Sequence, residues 1–581
     1  MHVALCISYR ARVSLSATAM TSTTPNPLRV ALVWHMHQPY YHFGEPSSLP
    51  WVRLHATKDY IDMARAIDEH PSLRLNVNVV PSLLLQIEEI GERGHTDLVL
   101  EISRRDPATL SEQEKRFILH THFLCQVDLM IAPYPRYAEL YQRYREWTGS
   151  GSDTIDGWSD HDFRDLQVWY LLAWIGAYEA ENEPFASAIA KGSGFDENEK
   201  RSIIDASIEL VRNVIPLFRA LGESGRVELS TTPFYHPIMP LLLDFHEAVN
   251  AAPGTPLPAA TSGWKEDVAL QLDGARRYHE KLFGTAPLGC WPSEGSLSTK
   301  TLQMLNAAGF EWTASDQELL RRTLGRRATE TSHYYPWHFT ERKRSLGLLF
   351  RDHEISDLIG FVYATWDPID AARDLVRRML DVRETIRTRD GEEALEKAVL
   401  PIILDGENCW EYYQENGRPF LRELYRLLTS TPELSTVCVS DLFAAGTVDP
   451  HRSLSRLSPG SWIDGNFRIW IGGQEENRAW ELVAAARSAL MSRKGVVDLT
   501  SFHTAYEDLM IAEGSDWFWW FGEDNNSAND LEFDRLFRER LRKIYRGVGL
   551  EPPAELDLPI CSADAAHINK HGTGAMHRWT T

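Results

Sequence analysis

Short runs of apolar residues alternate with longer stretches of helical periodicity over most of this chain. Seven runs rich in Val, Ile, Leu and aromatic residues predict strands: Arg29–Trp34, Leu73–Val80, Val227–Ser230, Leu288–Trp291, Phe310–Ala314, Gly347–Phe350 and Val399–Leu404. Among the segments between them, Tyr60–His70, Glu266–Phe283, Ser298–Ala308 and Pro368–Arg387 have the pattern of amphipathic helices. Strand alternating with helix predicts parallel strands joined by right-handed crossovers. Polar clusters close most of the runs, as they do at the C-terminal mouth of a barrel. The predicted fold is therefore α/β, a seven-stranded parallel (β/α) barrel rather than a doubly wound sheet.

Two stretches break the alternation. Residues 97–224 have helical periodicity and few strand signals, which predicts a helical insertion between the second and third strands. Residues 449–561 carry the helical segments Glu475–Ser488 and Asp530–Arg546, and Pro552-Pro553 then prevents the last from continuing. They predict a helical C-terminal domain behind a catalytic barrel at 28–448. Residues 1–27 and 562–581 read as tails, the first one disordered, with Met20 as an alternative start.

Composition narrows the partners. A net charge of −22 over 581 residues argues against nucleic acid or an anionic membrane and suits a neutral ligand. No 18-residue apolar span occurs, and the run Val3–Ile7 is too short for a signal sequence. The six cysteines are scattered without metal-like spacing, so buried reduced thiols in a cytoplasmic protein are expected. The 19 tryptophans supply flat faces for sugar rings, although Trp also fills large cores.

Candidate chemistry collects where apolar runs end. Glu294, in Trp291-Pro292-Ser293-Glu294-Gly295-Ser296, would project into a barrel mouth, or else serve as an acid at the start of the next helix. Asp352 follows Phe350-Arg351, and Asp316 competes with it one strand earlier. Two carboxylates around one cavity are what glycosidic cleavage requires, one to attack the sugar and one to protonate the leaving oxygen. His35 and His37 share a strand face, a spacing compatible with a metal, but no convincing third ligand accompanies them. His37-Gln38-Pro39 at a strand end is equally suited to sugar hydroxyls.

Five segments, in order, resemble the conserved regions of glycoside hydrolase family 57: His37-Gln38-Pro39, Gly225–Leu229, Trp291–Glu294, Phe350–His353 and Asp405–Asn408. Ala512–Trp520 is similar to a further family segment. The resemblance implies a retaining α-glucan hydrolase or transglycosylase, with Glu294 as nucleophile and Asp352 as acid/base. It implies sugar contacts from His37, Gln38, Trp34, Glu228, His236, Trp291, Asp405, Glu407, Trp410 and Trp519, with no cofactor and no metal. The rival expectations are a metal-dependent carbohydrate deacetylase or α-mannosidase on a related barrel, and a glucan-binding protein without catalysis.

Overall fold

The computed structural model describes residues 26–561, apart from 43, 45, 152–153, 342–343, 445–448, 450, 523–524 and 526–528. All seven predicted strands form. They are β1 (Leu28–Met36), β2 (Leu75–Val79), β3 (Val227–Thr231), β4 (Gly289–Cys290), β5 (Trp312–Asp316), β7 (Arg344–Arg351) and β8 (Val399–Asp405). They run parallel in the spatial order β7-β5-β4-β3-β2-β1-β8. Three short strands escaped the pattern: β6 (Trp337–Glu341), antiparallel to β7, β9 (Leu434–Thr436) beside β1, and β10 (Ser453–Leu454) beside β6. β9 has three residues and β10 two, too short to show a period. The barrel seam, between β7 and β8, has no regular ladder. It is bridged by Asp352 N–H donating to Pro401 O at 2.9 Å and by Arg351 Nε donating to Ile403 O at 3.0 Å.

Alternation along the strands sorts side chains into two layers. Ala31, Val33, Trp291, Trp312, Ala314, Leu349, Val399 and Ile403 form one buried cluster, the barrel interior. Leu32, Trp34, Leu348, Phe350, Ile402 and Leu404 belong to the larger cluster shared with the surrounding helices. Gly289 is required where it stands, since a Cβ there would lie 2.0 Å from the Trp312 ring. Val439 and Leu442, beyond β9, join the interior cluster and plug the N-terminal end. Val439 N–H donates to Asn76 Oδ1 at 2.9 Å, so the plug is bonded to the strands it closes.

The insertion between β2 and β3 is helical, with its longest helices at Pro135–Ser150, Asp160–Ala173 and Glu197–Glu223. Beyond residue 460 the chain forms the helices Gln474–Ser492, Leu499–Ala512, Ser515–Trp519 and Asp530–Gly547. The aromatic run packs inward: Trp517, Phe518 and Phe521 are buried, and Phe518 stacks on Trp480 at 4.1 Å. Two isolated bridges, Pro237–Gly514 and Leu297–Gly460, tie this region to loops that follow β3 and β4. It thereby covers the C-terminal mouth. The two predicted tails lie outside the described residues, except for Asn26 and Pro27. No helix among the described residues is long and apolar enough to cross a membrane.

Candidate active site

The interior face of β1 runs Ala31, Val33, His35 and then His37 just past the strand end, so the period that builds the core also delivers two imidazoles to the mouth. β8 does the same with Asp405, whose Cα pairs with that of His35. Asn78, on the inner face of β2, accepts a hydrogen bond from His35 Nδ1 at 2.7 Å and fixes its tautomer. His236, in the loop after β3, stacks on His37 with ring centroids 3.7 Å apart, and His35 stacks on His236 at 5.4 Å.

The three rings bring one nitrogen each within 4.8 Å of one another, the arrangement the HxH spacing left open as a metal site. Their planes lie within 20–25° of parallel. Imidazole lone pairs lie in the ring plane, so stacked rings present them side by side and poorly to a common ion. Charge is divided unequally among them. Burial, then the neighbouring rings, push His236 well below the usual histidine range and His35 down to about 3. For His37 burial acts in the same direction, but Asp516, Glu294 and Asp405 outweigh it and raise its pKa. Protonation is therefore favoured on His37 and disfavoured on the two rings beside it.

Glu294 lies in a tight turn after β4 with φ 57°, a left-handed conformation it shares with His236, also at φ 57°. Each such residue costs about 1–3 kcal/mol, and strain of this kind collects at functional sites. Trp462 holds Glu294 twice, its Nε1–H donating to Oε2 at 2.8 Å and its backbone N–H to the Glu294 carbonyl at 3.0 Å. Burial and then the charge of Asp405 push the Glu294 carboxyl up to about 8, although the Trp462 N–H and His37 act the other way. Asp405 is also raised by burial, with His37 and Asn408 partly offsetting it. The two carboxyls therefore do not ionise independently, and the Asp405 charge favours the protonated form of Glu294.

Asp352 is placed differently. It caps the helix His353–Asp357, accepting from Ile355 N–H at 2.8 Å and from Tyr334 O–H at 2.6 Å. Burial raises its pKa, but His333, Tyr334 and the Ile355 N–H outweigh burial and hold it below the usual range. Leu349 faces the interior and Phe350 the helices, so continued alternation turns Arg351 inward and Asp352 outward. Asp316, on the interior face, is paired with Arg351 at 3.3 Å and His353 at 3.1 Å.

The other sequence candidates divide between mouth and core. Glu228 sits low in the barrel, where Trp312 Nε1–H donates to it at 2.6 Å and Ser440 N–H at 2.8 Å. It is three strand residues, about 10 Å, below Thr231 at the mouth end of β3, so it braces the plug and does not meet a ligand there. Glu228→Ala should lower stability by about 1–3 kcal/mol by orphaning two donors, visible as a lower Tm with unchanged KM. Trp34, Trp291 and Trp410 have at most 1% of their surface exposed, so none offers a face for stacking. Trp34 and Trp410 pack edge to face at 5.8 Å in the helix-facing core. Gln38 is buried and accepts from Tyr41 O–H at 3.4 Å, bracing its loop. Glu407 is buried behind Asp405, and burial followed by that charge raises its pKa well above the usual range. Trp519 is half-buried, 6.0 Å from Trp470.

Three site residues, Asp516, Ser515 and Trp462, were not singled out from the sequence. Asp516 pairs with His37 Nε2 at 3.2 Å, and Ser515 Oγ meets His236 Nδ1 at 2.8 Å. The segment Ala512–Trp520 carried that signal without showing which residue faces the barrel. Trp462 had no local signal at all. Among the described residues, then, the mouth gathers His35, His37, His236, Glu294, Asp405, Trp462 and Asp516.

Comparison with known proteins bears on the fold that carries this mouth. The architecture is similar to a branching enzyme of family GH57 from Thermococcus kodakaraensis, at 15% identity and a TM-score of 0.56 over 90% of each chain. It is also similar to the α-amylase AmyC from Thermotoga maritima, at 14% identity and a TM-score of 0.55, covering 91% of this chain and 95% of that one. A third is the 4-α-glucanotransferase of Thermococcus litoralis, at 17% identity and a TM-score of 0.51, covering 90% of this chain and 61% of that one. At such identities these likenesses establish the fold. No curated protein sequence matches significantly. The family model of glycosyl hydrolase family 57 matches residues 31–454, from the middle of β1 to β10 and through both carboxylates at the mouth. The chain belongs to glycosyl hydrolase family 57.

Proposed function

We propose that this enzyme cleaves or transfers α-glucosidic linkages with retention, using Glu294 as nucleophile and Asp405 as acid/base. The observation that carries the reading is the pair itself: two half-buried carboxyls at the ends of β4 and β8 in one mouth, Asp405 felt in the pKa of Glu294 and both felt in that of their shared neighbour His37. Asp405 takes the acid role expected of Asp352, because a general acid must hold a proton near neutral pH. Burial favours that proton on Asp405, whereas the donors around Asp352 favour its ionised form.

In the first step the Glu294 carboxylate bonds to the anomeric carbon while Asp405 gives its proton to the departing glycosidic oxygen. Asp405, now ionised, takes a proton from water or from a sugar hydroxyl, whose oxygen displaces Glu294 and returns both groups to their starting forms. Burial and Asp405 raise the Glu294 carboxyl to about 8, and the Trp462 N–H and His37 oppose them, favouring the ionised state that attacks. His35, His37 and His236 line the mouth as donors and acceptors for sugar hydroxyls, and half-buried Trp519 remains available as an aromatic wall. The similar solved proteins include an amylase, a branching enzyme and a glucanotransferase, which supports an α-glucan as substrate. The five described cysteines are all buried and unpaired, which supports a cytoplasmic location.

Incubation with amylose, pullulan and maltooligosaccharides, with products resolved by size and linkage, tests the substrate class. Prolonged EDTA treatment should leave most activity in place, since two carboxylates suffice for the bond. Activity that vanishes with EDTA and returns with zinc would instead favour the deacetylase or mannosidase reading of the histidine cluster.

A further inference from the structure

Behind the active-site cap, two carboxyl groups meet, and the guanidinium beside them, Arg487, is bonded to one of them, Asp267. Glu513 is the C-cap of the helix Leu499–Ala512, fully buried, and neither side-chain oxygen has an N–H or O–H donor in hydrogen-bonding geometry. The polar side chains against it are Asp267 and Gln271, from the helix Lys265–Phe283 that precedes β4. Gln271 donates to Met510 O at 3.0 Å and accepts from Tyr235 N–H at 2.9 Å, and its amide also favours the ionised form of Glu513, though burial and Asp267 outweigh it. Asp267 accepts from Arg487 Nε at 2.5 Å and Nη2 at 3.0 Å, and from Tyr506 O–H.

Adjacent carboxyls in a closed site cannot both ionise cheaply, and a proton between them turns repulsion into a hydrogen bond. Asp267 is matched by the Arg487 guanidinium. Glu513 is then the acid that donates, and burial followed by the Asp267 charge raises its pKa well above the usual range. The three residues that follow enter the active site. Gly514 lies so close to Tyr235 that a Cβ would fall 2.7 Å from its carbonyl oxygen. Ser515 N–H donates to His236 O at 2.9 Å, its Oγ meets the same ring, and Asp516 pairs with His37.

We propose that protonated Glu513 is a positioning residue, whose hydrogen bond to Asp267 fixes the turn that aims Ser515 at His236 and Asp516 at His37. The inference rests on the functional reading of the mouth given above. The charged and titratable groups facing Glu513 are Asp267 from one helix, Arg487 from the helix Gln474–Ser492, and Tyr506 from its own helix. Because folding raises the Glu513 pKa, the stability it lends is complete in acid and is lost as pH rises through its folded pKa. Two buried anions then face one guanidinium, and the turn loosens.

The test compares kcat, KM and Tm across pH for the parent, Glu513→Gln and Glu513→Ala, acting on a maltooligosaccharide. Gln donates the same hydrogen bond without ionising. It should match the parental kcat at neutral pH, extend the alkaline limb of kcat upward, and flatten the alkaline fall in Tm. Ala should lower kcat by about tenfold to a hundredfold with a smaller change in KM, as small misplacements of site groups do. A Gln variant as impaired as Ala, or an Ala variant matching the parent at every pH, overturns the proposal. Turnover surviving Glu294→Gln would instead overturn the functional reading beneath it, so the two failures are distinguishable.

Discussion

Glu294→Gln should reduce turnover of α-glucans by about 10⁴-fold or more, because removing a covalent nucleophile deletes the reaction path and leaves only binding behind. The fold should survive the change. The amide oxygen still accepts from Trp462 Nε1–H, and the burial cost and the repulsion with Asp405 that together push the Glu294 carboxyl up to about 8 disappear. The variant should therefore unfold at or above the parental Tm, bind maltooligosaccharides with a Kd within a few-fold of the parental value, and form no glycosyl-enzyme. Glu294→Ala should regain part of its activity with azide, a small anion able to enter the vacated space and attack the anomeric carbon. A Gln variant that turned over at a tenth of the parental rate or more would show that Glu294 assists a different nucleophile.

Much of the scaffold was legible because its strands are separate, short and apolar, and each lies within two or three residues of its predicted limits. The site was legible where chemistry sits at a strand end: His37, Glu294 and Asp405 all follow apolar runs. The direction of side chains was not legible. Strands buried on both faces read as continuous apolar runs, so Leu348-Leu349-Phe350 does not reveal which side faces the interior. That ambiguity is what made Asp352 look inward. Asp405 carries no such ambiguity once its register with His35 on β1 is known. Glu228 misled for a related reason, since it has the inner face but the wrong height. Trp34 and Trp410 illustrate the double use of tryptophan, where a residue suited to sugar stacking fills the core instead. The contacts that complete the mouth span the chain, with His37 and Asp516 lying 479 positions apart and Glu294 and Trp462 lying 168 apart. No local pattern encodes such pairs, because only closure of the cap brings them together.

The sharpest separation between the sequence expectation and the structure comes from comparing Asp405→Asn with Asp352→Asn. Asp405→Asn should lower kcat on maltooligosaccharides by about 10²–10⁴-fold, the usual contribution of a general acid. On a nitrophenyl α-glucoside, whose leaving group departs without a proton, the first step should be nearly spared and a glycosyl-enzyme should accumulate as a burst. With Asn in place of Asp405 no general acid remains to lose its proton, so the alkaline limb that the acid sets on maltooligosaccharides should vanish. Asp352→Asn should behave as a structural change. It weakens the cap at Ile355 and the bond from Tyr334, at a cost of about 1–3 kcal/mol, and it should leave the ratio of activities on the two substrates unchanged. The sign of its pH effect follows from its depressed pKa: the stability is present above the ordinary carboxylate range and is lost as pH falls through the folded value. Should Asp352→Asn be the variant that loses glucan activity while sparing the activated glucoside, the acid/base returns to Asp352, and Asp405 becomes a modulator of Glu294.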